Sequence, residues 1–181
     1  MRGDGPLVLF YADFSCPRCA VGWERLAAAG VRVVFRHLAL KAKHPRAVAL
    51  AHAVEAAGLQ GRFWELTDAL YADQARTDDP HLWAPGERLG LDVERWEADR
   101  RADAVAQRVA RDVRDALRGG AIATPTLFAG GTMLAGAPDA AWLAALWPSD
   151  AFSYRLGHFR NVKHSTSTVE TDDGARRETH I

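Results

Sequence analysis

The pattern of apolar and polar positions changes period several times along the chain. Leu7-Val8-Leu9-Phe10-Tyr11, following Gly5-Pro6, is a continuous apolar run and predicts a short buried strand over 7–12. The period then lengthens. Ala20, Trp23, Leu26 and Ala27 share one helical face, which predicts a helix over 16–29. Cys16 falls at its N-cap. Pro17 suits the first helical position, where its missing N–H would be unbonded in any case. Gly30 supplies the stop. Val31-Arg32-Val33-Val34-Phe35-Arg36-His37 returns to a β-branched strand pattern. Strand, helix and strand at these lengths predict a right-handed parallel βαβ unit.

From about 44 to 118 the pattern is helical and shows no convincing strand. Val48, Ala49, His52, Ala53 and Ala56 give the apolar face of a helix over 46–57. A second helix fits 61–72, with Phe63, Trp64, Leu66, Ala69 and Leu70 on its apolar face. Asp78-Asp79-Pro80 opens a third, ending near Gly90. Leu91-Asp92-Val93-Glu94 then starts a long charged helix whose stripe of Val105, Val109, Val113 and Leu117 predicts one buried seam. The Arg and Asp residues around that seam read as a solvated face with i,i+4 pairing.

Gly119-Gly120 breaks the pattern. Thr126-Leu127-Phe128-Ala129 and Thr132-Met133-Leu134, joined by Gly130-Gly131, predict a β-hairpin. Pro138-Asp139-Ala140 opens a last helix, with Trp142, Leu143, Leu146 and Trp147 on its buried side. The expected domain is therefore 1–148, with an α/β core over about 7–43 and 119–148 and a helical insertion over about 44–118. Residues 149–181 are polar and weakly patterned, apart from an alternation of Phe152, Tyr154 and Leu156. They are expected to form a tail. No internal repeat is present.

Composition narrows the partners. The 181 residues carry 23 basic and 23 acidic side chains, a formal net charge of zero. Nucleic acids and anionic membrane surfaces both select for a basic excess, so neither is the expected partner. No stretch has the length of a membrane span. Met1-Arg2-Gly3-Asp4-Gly5-Pro6 has no signal-peptide pattern, which leads to an expectation of a cytoplasmic protein.

The two cysteines of the chain are Cys16 and Cys19. A C-x-x-C pair on the first turn of a helix brings two sulfurs within bonding reach. In a reducing compartment such a pair points to redox chemistry, to half of a metal site, or to no function at all. Zinc requires further ligands, and His37, His44, His52 and His81 are not paired at ligand spacing, so no metal is expected. Cys16 faces unpaired backbone N–H groups and the positive end of the helix dipole. Its pKa is expected to fall from ~8.5 into the ~3.5–7.5 range of activated thiols. Arg18 adds a positive charge between the cysteines. Cys19, one turn further in, is expected to be buried and protonated. Cys16 is thus the expected nucleophile and Cys19 the resolving thiol.

A second constellation is Ala123-Thr124-Pro125-Thr126-Leu127-Phe128, a strand that begins at a proline. The residues alone favour an ordinary trans proline at a strand edge, because only ~5–6% of X–Pro bonds are cis. A cis bond would turn the Thr124 N–H and C=O towards a substrate chain.

Taken together, the chain resembles the DsbA-like class of the thioredoxin fold, small domains with a Cys-Pro-x-Cys centre. The likeness is carried by Tyr11-Ala12-Asp13-Phe14-Ser15-Cys16-Pro17, Phe35-Arg36-His37-Leu38-Ala39-Leu40, Gly61-Arg62-Phe63-Trp64-Glu65-Leu66, Leu91-Asp92-Val93-Glu94-Arg95-Trp96 and the Thr124-Pro125 stretch, over about 7–147. It implies a thioredoxin core with an inserted all-helical subdomain, and a cis Pro125 packed against Cys16 and Cys19. One feature departs from the class. Its members often carry a buried acid six residues before the first cysteine, where this chain has Phe10. Asp13 is present but falls on the loop side. A slow resolving step at neutral pH is therefore expected, with water or Asp13 taking the proton.

The expected function is thiol–disulfide exchange on protein or small-thiol disulfides, without a cofactor. Cys16 and Cys19 carry the chemistry, and Pro17, Arg18, Thr124 and Pro125 contact the substrate. Two rivals remain open. One is a glutathione-dependent transferase or isomerase resembling the kappa class, which uses a single Ser or Cys nucleophile; Ser15 leaves room for it. The other is a redox-inactive peptide-binding or chaperone module. His37 and Trp23 read as structural, and Trp64, Trp83, Trp96, Trp142 and Trp147 as core or groove-wall residues.

Overall fold

The computed structural model describes residues 1–147, and the tail expected over 149–181 lies outside them. Leu7–Ala12 forms β1, Pro17–Ala29 forms α1 and Arg32–His37 forms β2. β1 and β2 are parallel, in a register that pairs Phe10 with Phe35 and Ala12 with His37. β3 (Thr126–Ala129) lies antiparallel on the other side of β1, and β4 (Thr132–Ala135) closes the hairpin. The sheet order is β2-β1-β3-β4. This is the mixed sheet that the resemblance implies. Between β2 and β3 the chain forms α2 (Ala47–Gly58), α3 (Phe63–Ala72), α4 (Asp79–Arg88), α5 (Val93–Asp99) and α6 (Asp103–Arg118), and α7 (Ala140–Ala145) follows β4.

α1 begins as the sequence suggests. Cys16 is extended at the N-cap, and Pro17 occupies the first turn. Gly30 ends the helix in the left-handed conformation, with φ of 66°. The helix lies close against the sheet at Gly22. A Cβ there would sit 3.3 Å from the Phe10 ring and 3.7 Å from Pro125 Cγ, so the absent side chain lets α1 approach both. Phe10 is fully buried. It stacks on Trp23 with ring centroids 6.3 Å apart and meets Phe35 edge-on at 5.7 Å.

Four helical expectations need correction. The long helix expected from Leu91 is two helices. Trp96 is fully buried on α5, donating from Nε1 to the Ala53 carbonyl at 2.8 Å, and Val105 is buried on α6. At about 100° per residue, nine residues of continuous helix would put those two side chains on opposite faces, about 180° apart. A break at 100–102 lets both be buried. The seam of α6 also drifts. Steps of four residues advance about 40° past a full turn, so the buried positions become Val105, Val109, Asp112 and Ala116, while Leu117 is 50% exposed. On α2 the expected face is too narrow and displaced. The helix packs against α3, α5 and α6, which buries Leu50, Ala51, Val54 and Ala57 and leaves Val48, Ala49 and His52 half-buried. On α7, Trp142, Leu143, Leu146 and Trp147 are half-buried, because α7 covers the margin of the core and not its centre. Among the described residues no helix is long and apolar enough to cross a membrane.

Candidate active site

The turn from β1 into α1 sets the two sulfurs. Asp13 Oδ1 accepts from the Ser15 N–H at 2.8 Å, and the Asp13 carbonyl accepts from the Cys16 N–H at 3.2 Å. These local bonds stabilise the turn and place Cys16 at the N-cap. A clamp from the helical segment fixes it further. Gln74, just past α3, donates from Nε2 to the Phe14 carbonyl at 2.7 Å and to the Cys16 carbonyl at 3.1 Å. The first turn then closes through Cys19 N–H to the Cys16 carbonyl at 2.9 Å.

Both cysteines are free thiols and both are buried, Cys19 fully and Cys16 to within 5%. Their environments differ in sign. The Cys19 thiol donates to Cys16, and this bond is the largest influence pulling the Cys16 pKa down to about 5. Burial opposes the shift. The Thr124 hydroxyl and the backbone N–H groups of Cys19 and Arg18 reinforce it. Cys19 moves the other way, well above the usual thiol range. Burial is the first cause, and its donation to Cys16 is the second. When Cys16 is protonated its Sγ can donate to the Thr124 carbonyl, 3.5 Å away. The donors to the thiolate take over once that proton is lost.

The Thr124–Pro125 bond is cis, Pro125 is buried and Thr124 half-buried. The Pro125 carbonyl accepts from Gly136 N–H at 2.8 Å, which holds the start of β3 against the end of β4. Cys16, Cys19, Thr124 and Pro125, which are far apart in the sequence, therefore meet at one end of the sheet. Pro17 and Arg18 lie exposed on the first turn beside them. The Arg18 backbone N–H acts on Cys16 and helps to lower its pKa.

Asp13 also differs from expectation. It sits in the turn, but only 2% of it is exposed. Its backbone N–H points at Cys19 Sγ, 3.5 Å away. Burial pushes its carboxyl up to about 6, against the pull of the Ser15 N–H. Oδ2 is buried with no hydrogen-bond partner, as is the hydroxyl of Tyr71 on α3. Tyr71 and Gln74 were not identifiable from the sequence. A tyrosine on the apolar face of a helix signals only packing, and Gln74 lies in a connecting turn without a pattern.

A second buried polar group adjoins the site. His37, at the end of β2, shares a 2.8 Å hydrogen bond between Nε2 and Glu55 Oε1. Asp112 accepts from Arg36 at 2.9 Å, from Arg108, and from the His37 backbone N–H at 3.1 Å. One ligand atom from each of His37, Glu55 and Asp112 lies within 4.8 Å of the others, a spacing that a metal ion would fit. The two guanidiniums already neutralise the two carboxylates, so the group reads as an ion-pair cluster tying α2 and α6 to β2.

Comparison with known proteins bears on the fold and the family. The family described as DSBA-like thioredoxin domain matches residues 27–146, a stretch that begins after the two cysteines. Among curated relatives, the Na(+)/H(+) antiporter NhaA of Herminiimonas arsenicoxydans is 41% identical over 142 residues, covering 75% of this chain and 22% of that protein. The Na(+)/H(+) antiporter NhaA 1 of Salinispora arenicola is 42% identical over 132 residues, covering 68% of this chain and 20% of that protein. The chain thus spans about a fifth of the length of these relatives. Among solved structures, a thioredoxin-like oxidoreductase from Silicibacter pomeroyi DSS-3 superposes with a TM-score of 0.71 at 22% identity, covering 80% of this chain and 84% of that one. Pseudomonas aeruginosa DsbA2 gives a TM-score of 0.65 at 27% identity, covering 84% of this chain and 91% of that one.

Proposed function

This chain belongs to the DSBA-like thioredoxin-domain family, and from that premise we propose that it is a thiol–disulfide oxidoreductase working through a Cys16-Pro17-Arg18-Cys19 centre. The observation that carries the reading is the asymmetry of the two thiols, with Cys16 lowered to about 5 and Cys19 raised by burial. At neutral pH Cys16 is almost wholly thiolate, the form that attacks disulfides.

In the reducing direction, Cys16 Sγ attacks one sulfur of a substrate disulfide. The other substrate sulfur leaves with the electron pair, and a mixed disulfide forms. Cys19 then loses its proton and attacks Cys16 Sγ. The second substrate sulfur leaves as a thiolate, and the protein retains the Cys16–Cys19 disulfide. The oxidising direction is the reverse. A substrate thiolate attacks Cys16 Sγ, Cys19 leaves and takes a proton, and the second substrate thiol displaces Cys16. A sulfur of low pKa is a good leaving group in that last step, and stabilising the Cys16 thiolate stabilises the reduced protein. Both effects favour oxidation of substrate dithiols.

Substrate binding is assigned to the exposed surface around Cys16. Pro17 and Arg18 are exposed on the first turn of α1, and half-buried Thr124, beside buried Pro125, lies 3.5 Å from Cys16 Sγ through its carbonyl. Ile122, two residues before Thr124, is 76% exposed and gives this edge an apolar contact suited to a polypeptide. The test is the reaction of the reduced protein with a disulfide-bonded polypeptide. Cys19→Ser should accumulate the mixed disulfide, detectable by mass, whereas Cys16→Ser should form none. Retained peptide binding without exchange in the unaltered protein would instead favour a binding module.

A further inference from the structure

Loss of the Cys19 proton is the step for which the site has no evident provision. Phe10 fills the position where related domains often carry an acid, and its buried ring packs between Trp23 and Phe35. In the dithiol, Cys19 donates its hydrogen to the Cys16 thiolate. Once Cys16 is bonded to a substrate sulfur, that negative charge is gone. Cys19 then needs another acceptor, and a donor to support the thiolate it becomes.

Two buried groups beside it are unpartnered. Asp13 Oδ2 has no hydrogen-bond partner, on a residue whose backbone N–H lies 3.5 Å from Cys19 Sγ. The Tyr71 hydroxyl is also buried without a partner. Its ring is wedged against Phe14 at 5.2 Å and Trp23 at 6.0 Å, so it is fixed over the same turn. A buried polar group with no partner costs stability unless something else uses it. Here two such groups lie near enough to Cys19 for their charges and its own to act on one another.

We propose that Asp13 and Tyr71 form the proton-transfer pair of Cys19, the Asp13 carboxylate accepting its proton and the Tyr71 hydroxyl donating a hydrogen bond to the charge that develops. The proposal rests on the oxidoreductase reading. In the resolving step the Cys19 S–H bond breaks and its proton passes to Asp13 Oδ2. The sulfur's electron pair forms the bond to Cys16 Sγ, and the substrate thiolate leaves with the pair of the broken mixed disulfide. In the oxidising direction Asp13 returns the proton to Cys19 as it leaves.

The electrostatics agree with these roles. Burial holds the Asp13 carboxyl near 6, so it is mostly a base at neutral pH yet able to return the proton. Burial and the neighbouring Cys19, Asp13 and Cys16 hold the Tyr71 hydroxyl well above its usual range, so it remains a donor. The titratable groups facing Asp13 are Cys16 and Cys19 on α1, Tyr71 on α3, His37 at the end of β2 and His44 after it. Of these, His44 and His37 pull the carboxyl down, and Cys16 pushes it up.

The test separates the two steps. Reduced protein mixed with dithiobis-nitrobenzoate releases one coloured thiolate on mixed-disulfide formation and a second on resolution. Asp13→Asn keeps the Oδ1 acceptor for the Ser15 N–H and should slow the second release about a hundredfold. It should also remove the rise of that phase through pH 6. Tyr71→Phe should slow the second release about tenfold, with the first release unchanged and Tm not lowered. Wild-type second-phase rates in both variants would overturn the proposal. So would a Tyr71→Phe protein that loses Tm and slows both phases alike, since that marks a packing role only. Failure of the unaltered protein to release even the first thiolate would instead refute the oxidoreductase reading.

Discussion

Ala12 and His37 are register partners on β1 and β2, and each leads into a buried polar group. On the β2 side, the cluster of His37, Glu55, Asp112, Arg36 and Arg108 is almost fully paired, with only His37 Nδ1 left over. On the β1 side, Asp13 Oδ2, Ser15 Oγ and the Tyr71 hydroxyl are buried beside the two thiols without partners. Both groups hold a buried carboxylate and both sit at the same end of the sheet. The paired one fixes helices to a strand. The unpaired one surrounds sulfur atoms whose charge changes during exchange. The state of hydrogen-bond satisfaction, more than burial or charge, separates a structural polar group from a chemical one here.

Substitutions can break this contrast. The largest effect is expected at Cys16. Cys16→Ser should abolish disulfide exchange completely while leaving the folded state intact by circular dichroism. Exchange by the serine variant at any rate near wild type would remove the thiol side of the comparison. Next comes Asp112→Ala, which leaves the Arg36 guanidinium and the His37 N–H without their acceptor and Arg108 with Glu55 alone. Removing one partner of a buried ion-paired group costs about 3–5 kcal/mol. Denaturant unfolding should show that loss, while the Cys16 titration stays in place. A shifted titration would mean that the two clusters act as one.

The pH dependence of stability sharpens the contrast further. The folded pKa of Cys16, about 5, lies below its unfolded value of ~8.5. The unfolded chain therefore holds one more proton between those limits, and the reduced protein should gain stability as pH rises from 6 to 8. That contribution is complete above the unfolded value and is lost as pH falls through 5. Asp13 acts in the opposite sense at lower pH. Its carboxyl is raised to about 6, so its contribution falls as pH climbs from about 4 to 6. Parallel melts of reduced and disulfide-bonded protein would show the Cys16 slope in the reduced form alone. The smallest effect is expected at Gln74. Gln74→Ala removes the donor to the Phe14 and Cys16 carbonyls and should cost about 1 kcal/mol, measurable by chemical denaturation.

The readability of the sequence follows the range of the interactions. Every strand, the first turn of α1 and the Gly30 stop rest on short periods and local chemistry, and these matched. Helix faces matched in part. Trp23 and Leu26 on α1 and Leu66 and Leu70 on α3 are buried as expected, but burial on α2 depends on three neighbours, and Trp96 and Val105 force a break that no residue between them announces. The site divides in the same way. The Cys16 and Cys19 spacing and the Thr124-Pro125 strand start are local signals. Asp13 was visible as a residue, but its burial was not, since that depends on the helical segment folding over the turn. Tyr71 and Gln74 enter from about 60 residues away and carry no signal of their own.

The central claim is the asymmetry of the two thiols. Its most direct test is titration of the ultraviolet thiolate absorbance of the reduced protein, alongside Cys16→Ser and Cys19→Ser. One thiolate should form with a midpoint near pH 5, vanish in Cys16→Ser, and shift upward in Cys19→Ser as the donated hydrogen bond is lost. Two thiolates titrating together near the ordinary value of ~8.5 would contradict the account.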